Sequence, residues 1–420
     1  MHRLRMVVIL ALFSVVAGLI TGRSLFYHLA YLFVALILLS FFWAWSSISW
    51  VQLRRQTRAR RSQVGRPLEE RFSVRNSSSL PKLWLEVRDE SNLPGHLASQ
   101  VVNALPPHQE RAWTIRTICH ERGRYTLGPI TLFSGDPLGF FKLRRSLEPT
   151  SNIVVYPLMV DIPSFPLPTG LLPGGDALRR RTHYITTNAA TVRDYVPGDS
   201  FNRINWRSTA RRDRLIVKEF ELDPLSDVWI FLDMEREAHV ELPREDELQR
   251  DDAPFWVRPR QFRLPPSTEE YSVAVAASLA QYFIRLDRAL GLASCGQIRE
   301  VIQADRGERQ LTKILETLAV LRAEGQVPLP ELIRAEAQQL VRGTSVIIIT
   351  PSNDFQWLVT ARQMERAGMR VVAIVVDSET FGGGDQAKGL AAQLAATGTM
   401  MYLVQYDQPL DQALTKNFGF

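Results

Sequence analysis

The chain has two cysteines, Cys119 and Cys295, far apart in its 420 residues. That scarcity excludes a disulfide framework and a cysteine-based metal centre, and it fits a reducing compartment. No glycine-rich phosphate loop follows the first buried strand of the C-terminal half, so a nucleotide fold of the Rossmann or P-loop type loses its main support. Also missing are a Ser-His-Asp order, a Cys-His pair in context and a recognisable pair of catalytic carboxylates. Seven histidines are spread thinly, and His183, the one near a dense motif, is read as a surface residue. No catalytic constellation emerges.

Two features stand against this background. The first fifty residues are almost entirely apolar, although hydrophobic residues make up 45% of the whole. The net charge of +6 owes much to one cluster, Arg54, Arg55, Arg58, Arg60, Arg61 and Arg66, directly after that region. A basic membrane flank explains this cluster better than nucleic-acid binding does.

Met6–Gly22 and Ser24–Trp50 are each close to the roughly 20 residues needed to cross a hydrocarbon core. A signal peptide is the rival for the first run, since His2, Arg3 and Arg5 make a positive start, but cleavage would still leave the second run as an anchor. Neither run has a polar face to turn to water. Trp43, Trp45 and Trp50 suit an interfacial aromatic belt. Arginine is dense outside the pair and sparse between (Arg23 alone), so the positive-inside rule predicts a helical hairpin with both ends in the cytoplasm. The expected organisation is two spans within 1–53 and a basic linker at 54–67.

Residues 68–160 alternate with period two: Phe72 and Val74, then Leu83, Leu85 and Val87, then Trp113, Ile115 and Thr117, then Tyr125 and Leu127. With turns at Gly128-Pro129 and Gly135-Asp136-Pro137, this predicts a small antiparallel β-sandwich-like domain. Residues 161–226 read as a connector that carries one dense motif. From 227 to 408 the period changes. Apolar runs at 228–232, 345–350, 371–376 and 400–404 alternate with amphipathic helices at 269–289, 311–321, 330–341, 355–367 and 386–395. Residues 290–294 and 301–304 add two strands around Gly296. Such alternation predicts a doubly wound parallel α/β sheet.

The dense motif runs from Val192 to Glu221. Pro197-Gly198 suits the centre of a type II turn, and Asp199 or Ser200 suits the cap of a short helix carrying Phe201 and Ile204. A strand with Leu215 and Val217 on one face follows. Trp206 is read as a core anchor in preference to a stacking platform. Arg193, Arg203, Arg207, Arg211, Arg212 and Arg214 are interleaved with Asp194, Asp199, Asp213, Glu219 and Glu221. They form either a solvated face or an ion-pair network.

With those residues in view, the chain resembles the bacterial family catalogued as domain of unknown function 58. The resemblance rests on Arg193, Tyr195, Pro197-Gly198-Asp199, Arg203-Ile204-Asn205-Trp206, Arg207, Ala210-Arg211 and Leu215–Glu219, including Lys218. Glu121-Arg122-Gly123-Arg124-Tyr125, Gly128-Pro129 and Asp136-Pro137-Leu138-Gly139 support it, as do the paired N-terminal spans. Asn205 departs from the family, which more often has Asp there. The resemblance implies a C-terminal von Willebrand factor A-like domain. Such domains often hold a divalent cation through Asp-x-Ser-x-Ser after the first strand. Here that position reads Asp233-Met234-Glu235-Arg236-Glu237, which lacks the hydroxyl ligands of a hard cation, so no cofactor is expected. Asp233, with Thr350, Ser352 and Asp377, is expected along the carboxyl edge of the sheet, where ligands and partners bind. The polar run 236–266 beside it reads as a disordered insertion.

Three functional classes follow. The resemblance implies a membrane-tethered scaffold or adaptor working with a MoxR-type AAA+ ATPase in assembly or maturation of other proteins. The alternatives are a binder of anionic lipid or a small ligand through the arginine-rich block, and an enzyme of unrecognised type. Nucleic acid is not an expected partner, because the acids interleaved with the arginines dilute the field. The bacterial cell membrane is the expected location.

Overall fold

Two apolar helices open the chain in the computed structural model, which describes residues 2–147, 150–166, 189–195, 204–212, 214–220, 227–243, 263–383 and 399–415. The chain divides into two compact units, Met1–Pro157 and Leu158–Asp246 with Arg263–Phe420; 247–262 lie outside the described residues.

In the first unit, α1 (His2–Thr21) and α2 (Ser24–Ile48) form an antiparallel pair. Both are long and apolar enough to cross a membrane, with mean hydropathy of 2.4 and 2.2. Small residues sit where the helices meet. Ser14 and Gly18 are buried on α1, and a methyl group at Gly18 would lie 3.3 Å from the Tyr27 ring. Close backbone approach of this kind is how apolar helices gain packing energy without help from water. Polar side chains within the helices bond back to their own turns. Ser14 Oγ donates to the Leu10 carbonyl at 2.8 Å and Thr21 Oγ1 to that of Ala17 at 2.7 Å.

The chain then enters a β-rich body directly: β1 (Val51–Thr57), β2 (Arg61–Gln63), β3 (Pro67–Asn76), β4 (Lys82–Asp89), β5 (Gln100–Leu105), β6 (Glu110–Ile118), β7 (Gly123–Leu127), β8 (Ile130–Gly135), β9 (Lys142–Leu147) and β10 (Ser151–Tyr156). One sheet has the order β1-β3-β6 and a second β5-β4-β8-β9; β2-β10-β7 forms a third. The segment 54–67 is therefore not a linker. β1 pairs with β3 along its whole length, Val51 opposite Asn76 and Thr57 opposite Glu70. Adjacent arginines in β1 hid the strand: Arg54 faces out, while Arg55 points inward because carboxylates await it there. The inward residues Phe72, Val74, Leu85, Val87, Ile130 and Leu132 make the core, with Trp113 stacked on Phe72 at 5.6 Å. Each such burial contributes about 1.5–3 kcal/mol.

The second unit begins with a two-stranded antiparallel ribbon, β11 (Ala189–Asp194) and β12 (Ile216–Phe220), with α3 (Trp206–Arg212) between them. Its main sheet is built from β13 (Val228–Leu232), β14 (Leu290–Cys295), β15 (Arg299–Asp305), β16 (Ser345–Thr350), β17 (Arg370–Val376) and β18 (Met400–Val404). The order is β15-β14-β13-β16-β17-β18, all parallel except the edge strand β15. Its helices are α4 (Thr268–Arg285), α5 (Glu308–Val320), α6 (Leu329–Ala337), α7 (Gln356–Arg366) and the short α8 (Leu410–Ala413). β13 and β16 are buried at every position, as strands covered on both faces must be. Trp229, Phe231, Ile348 and Val371 face α6 and α7, whose Ile333, Trp357 and Leu358 complete that core. The alanine-rich α4 lies against β13, β14, β16 and β17, and α5 packs beside it. Trp229 lies across Gly291, where a methyl group would come within 2.7 Å of the indole. The helix expected at 386–395 lies outside the described residues.

Candidate functional site

The site is set by where the parallel strands stop. β13 ends at Leu232, placing Asp233 at the carboxyl edge, and its backbone N–H donates to the Ile349 carbonyl of the neighbouring strand at 2.9 Å. β16 ends at Thr350, whose hydroxyl donates to Asp233 Oδ2 at 2.6 Å. The other carboxylate oxygen accepts the Glu235 N–H at 3.1 Å. Thr350 Oγ1 in turn accepts the Ser352 N–H at 2.9 Å. Three of the four edge residues expected from sequence are thus joined in one chain of hydrogen bonds. Asp377 is not part of it. It caps the 3-10 turn Ser378–Phe381 through the Glu379 N–H and accepts from Gln405 Nε2 at 3.1 Å.

Burial pushes the Asp233 carboxyl up to about 6, although the Thr350 hydroxyl and the Glu235 N–H both favour its charged form. Two hydrogen bonds do not replace the hydration lost by a fully buried charge. Glu235 is also raised, by burial first and then by the charges of Glu237, Asp354 and Glu331 around it. A cleft of about 220 Å³ opens here, lined by Glu237, Ala238, Val240, Pro351, Ser352, Asn353 and Ser378. Among the described residues no group of three or more His, Cys, Asp or Glu is placed to hold a metal ion.

The run after Asp233 was expected to be disordered, and its described ends are not. Residues Arg236–Ala238 form a 3-10 turn. Glu235 bridges to Gly325, and Glu241 to Ser267. A Cβ on Gly325 would overlap the Cys295 carbonyl oxygen and come within 2.7 Å of that of Met234, so only glycine lets these backbones meet. His239 places one ring nitrogen 3.0 Å from the Asp233 carbonyl and the other 3.1 Å from Thr268 Oγ1. Nothing in the sequence pattern singled out His239 or Thr268, because their partners are distant in the chain. The middle of the run, 244–262, lies outside the described residues.

Part of the arginine-rich block lies among the described residues. Pro197, Gly198, Asp199, Phe201 and Arg203 lie outside the described residues, as does His183. Ile204 does not ride on a helix; it forms a bridge with Val217. The helix starts two residues later because Asn205 caps it, its Oδ1 accepting the Ser208 N–H at 3.2 Å. An Asp at this position would cap equally well, which gives Asn205 a structural reading and removes the need for a carboxylate. Thr209 Oγ1 accepts the Ile216 N–H at 3.1 Å and ties α3 to β12. Trp206 is 65% exposed, so it is not the core anchor expected. Ile216 and Val217 are both buried while Leu215 is partly exposed, which replaces the simple alternation expected there. Arg193 and Lys218 lie on the paired strands, Arg193 opposite Val217 and Val192 opposite Lys218. Tyr195 donates its N–H to the Leu215 carbonyl at 2.9 Å. Arg207 and Arg211 are exposed, and Arg214 pairs with Asp194 at 2.9 Å on the surface.

A second buried cluster was not foreseen. Arg55 meets Glu70 at 2.6 Å and Asp89 at 3.1 Å, and His96 Nε2 lies 3.1 Å from both carboxylates, all four side chains being almost wholly buried. Burial alone would raise Glu70, but hydrogen bonds from His96, Arg55 and Thr57 hold it at about 2. Burial alone would lower His96, and Asp89 and Glu70 raise it instead. The residues span four separate segments with no spacing signature, so sequence reasoning had no handle on them.

The architecture is that of a multi-domain protein with two N-terminal apolar helices, a β-rich body and an α/β unit. Residues 191–242 match the family described as "Protein of unknown function DUF58". The chain is also 23% identical over 231 residues to the uncharacterized protein YeaD of Bacillus subtilis, covering 54% of this chain. It spans about half (50%) of that relative's length. Among solved structures, the CARDB domain of the PF1109 protein from Pyrococcus furiosus is similar over 25% of this chain and 91% of its own, at 17% identity and a TM-score of 0.19. The alkylpurine DNA glycosylase AlkC of Pseudomonas fluorescens is similar over 25% of this chain and 30% of its own, at 14% identity and a TM-score of 0.18.

Proposed function

We propose that this protein is a membrane-tethered scaffold or adaptor whose second unit is von Willebrand factor A-like and meets a protein partner at its carboxyl edge. The observation that carries the reading is the edge itself. Asp233 is buried and bonded to Thr350, and the rim around it gathers Glu235, Glu237, Asp354 and Glu331. Such a rim favours a partner surface rich in Lys and Arg by steering and by charge complementarity. The sheet order with a single antiparallel edge strand, and an Asp directly after the first strand, support the A-like reading. Tethering is supported by the two apolar helices, whose large side chains stay exposed along both. The arginines outside the pair favour both ends, and with them the soluble units, on the cytoplasmic side of a bacterial cell membrane. A MoxR-type AAA+ ATPase is the proposed partner.

Affinity purification of the full-length, detergent-extracted protein from its native membrane tests this, with and without a chelator. The ATPase is expected in both samples, and Glu235→Gln/Glu237→Gln is expected to recover roughly tenfold less of it. Absence of any protein partner, or equal recovery by the double variant, overturns the reading. Loss only with the chelator would assign the contact to a cation at Asp233 instead.

A further inference from the structure

The Asp136-Pro137-Leu138-Gly139 motif has no place in the functions above, yet it is a built element. Asp136 is buried, and its two carboxylate oxygens accept the Leu138 N–H at 3.0 Å and the Phe141 N–H at 2.7 Å. Gly139 has φ +73, a conformation that favours glycine. The carboxylate thus turns inward and the loop presents Pro137, Leu138 and Gly139 outward. Leu138 is 42% exposed.

The loop lies against the helical hairpin. Phe141 packs edge-on against Phe41 of α2, with ring centroids 5.5 Å apart. Arg3, at the start of α1, directs Nη1 to the Leu138 carbonyl at 3.4 Å. Phe41 is seven residues before the end of α2, about 10 Å along its axis. From Ser24 to Phe41 the helix spans about 26 Å, close to the roughly 30 Å of a hydrocarbon core. The loop therefore sits level with the end of the apolar span. The last turns of α2 are covered by the β body: Ser40, Ala44, Ser46, Ser47 and Ile48 are buried. Lys82, itself buried, donates Nζ to the Ser46 carbonyl, one of the last carbonyls of the helix, which have no partner within it. At the same end, the Ser77 N–H donates to the Trp50 carbonyl at 2.9 Å. The same turn carries the exposed Leu80, whose carbonyl accepts from Asn76 Nδ2 at 2.9 Å, and the exposed Trp50 and Trp45 meet edge-on at 5.1 Å.

We infer that this end of the β body is a bilayer-interface surface, with the 136–141 loop, Leu80, Trp45 and Trp50 seated among lipid headgroups and upper acyl chains. The inference rests on the membrane-anchoring reading. Its occupant is lipid because the patch continues the apolar surface of the two helices and carries Arg3 at its rim, the composition of an interfacial anchor. The β body is then held against the membrane rather than swinging on a tether.

The test uses the full-length protein in phosphatidylcholine/phosphatidylglycerol vesicles, with Cys295→Ser so that buried Cys119 is the remaining native thiol. An environment-sensitive fluorophore is attached at Leu138→Cys, at Leu32→Cys within α2, or at Thr114→Cys on the outer face of β6. Spin-labelled lipids with the quencher high on the acyl chain are expected to cause a roughly twofold loss of emission at position 138 and little at 114. Quenching at 32 but not at 138 overturns the interface and leaves the anchoring reading standing. Quenching at neither overturns both. Shielding of 138 from aqueous iodide without lipid quenching assigns the patch to a protein contact and also overturns the inference.

Discussion

Thr350 donates its hydroxyl to Asp233 at 2.6 Å across 117 residues of sequence, joining the carboxyl ends of two adjacent parallel strands. The contact is between a threonine that ends a buried strand and an acid that begins a loop. It holds a carboxyl group where hydration cannot reach, and the effects on stability follow from that.

The Asp233 carboxyl is raised from 3.8 to about 6 in the folded chain. Between those values the folded state keeps a proton that the unfolded state has released. The stability linked to this group is therefore full below about pH 4 and is lost as pH rises through about 6. Asp233→Asn is expected to remove most of that slope, on the order of 2–3 kcal/mol, from unfolding of the α/β unit. Thermal unfolding followed by tryptophan fluorescence across this pH range checks it; a slope unchanged in Asp233→Asn refutes it.

The Arg55–Glu70–Asp89–His96 cluster is expected to act in the opposite sense at acid pH. Glu70 is held at about 2 and Asp89 is lowered, so their contribution is present above the ordinary carboxylate range and lost as pH falls from there through the lowered values, about 2 for Glu70. His96 is raised above 6.5, so its contribution is present below that value and lost as pH climbs through the raised one. Glu70→Gln leaves Arg55 short of a buried partner and is expected to cost about 3–5 kcal/mol. Denaturant unfolding of the detergent-solubilised protein measures it, and a cost below about 1 kcal/mol would mean that the cluster is not coupled to folding.

Two tryptophans separate the reading of composition from that of position. Trp357 is 1% exposed beneath the main sheet, whereas Trp206 is 65% exposed. Trp357→Ala is expected to destabilise by about 3–5 kcal/mol, and Trp206→Ala by less than about 0.5 kcal/mol. Paired denaturation curves decide it. A large loss for Trp206→Ala would restore a packing role to the signature block.

Much of the α/β unit was legible because fully buried strands write themselves as unbroken apolar runs. Val228–Leu232 and Ser345–Thr350 need no partner to be recognised. The β body was legible wherever one face is apolar, as at Phe72 and Val74. Reading failed at Val51–Thr57, where alternation was masked by Arg54 and Arg55. An arginine that points inward toward Glu70 has the same letter as one in solvent.

Asp233, Thr350 and Ser352 are joined by hydrogen bonds because parallel strands in one sheet end side by side. Their consequence could not be read in advance. Whether a carboxyl is charged depends on how much water is removed from it, and that is a property of the packed edge.

The sequence by itself determined the periodicities: two apolar helices, an antiparallel β body, an alternating α/β unit, and an acid after its first strand. Those follow from local preferences and from the side of each element that must avoid water. Only the tertiary structure decided which charges are buried together, which end of the β body meets the helices, and that Trp206 faces outward. Each depends on contacts between segments far apart in the chain, where partner geometry and lost hydration, not residue type, set the energy.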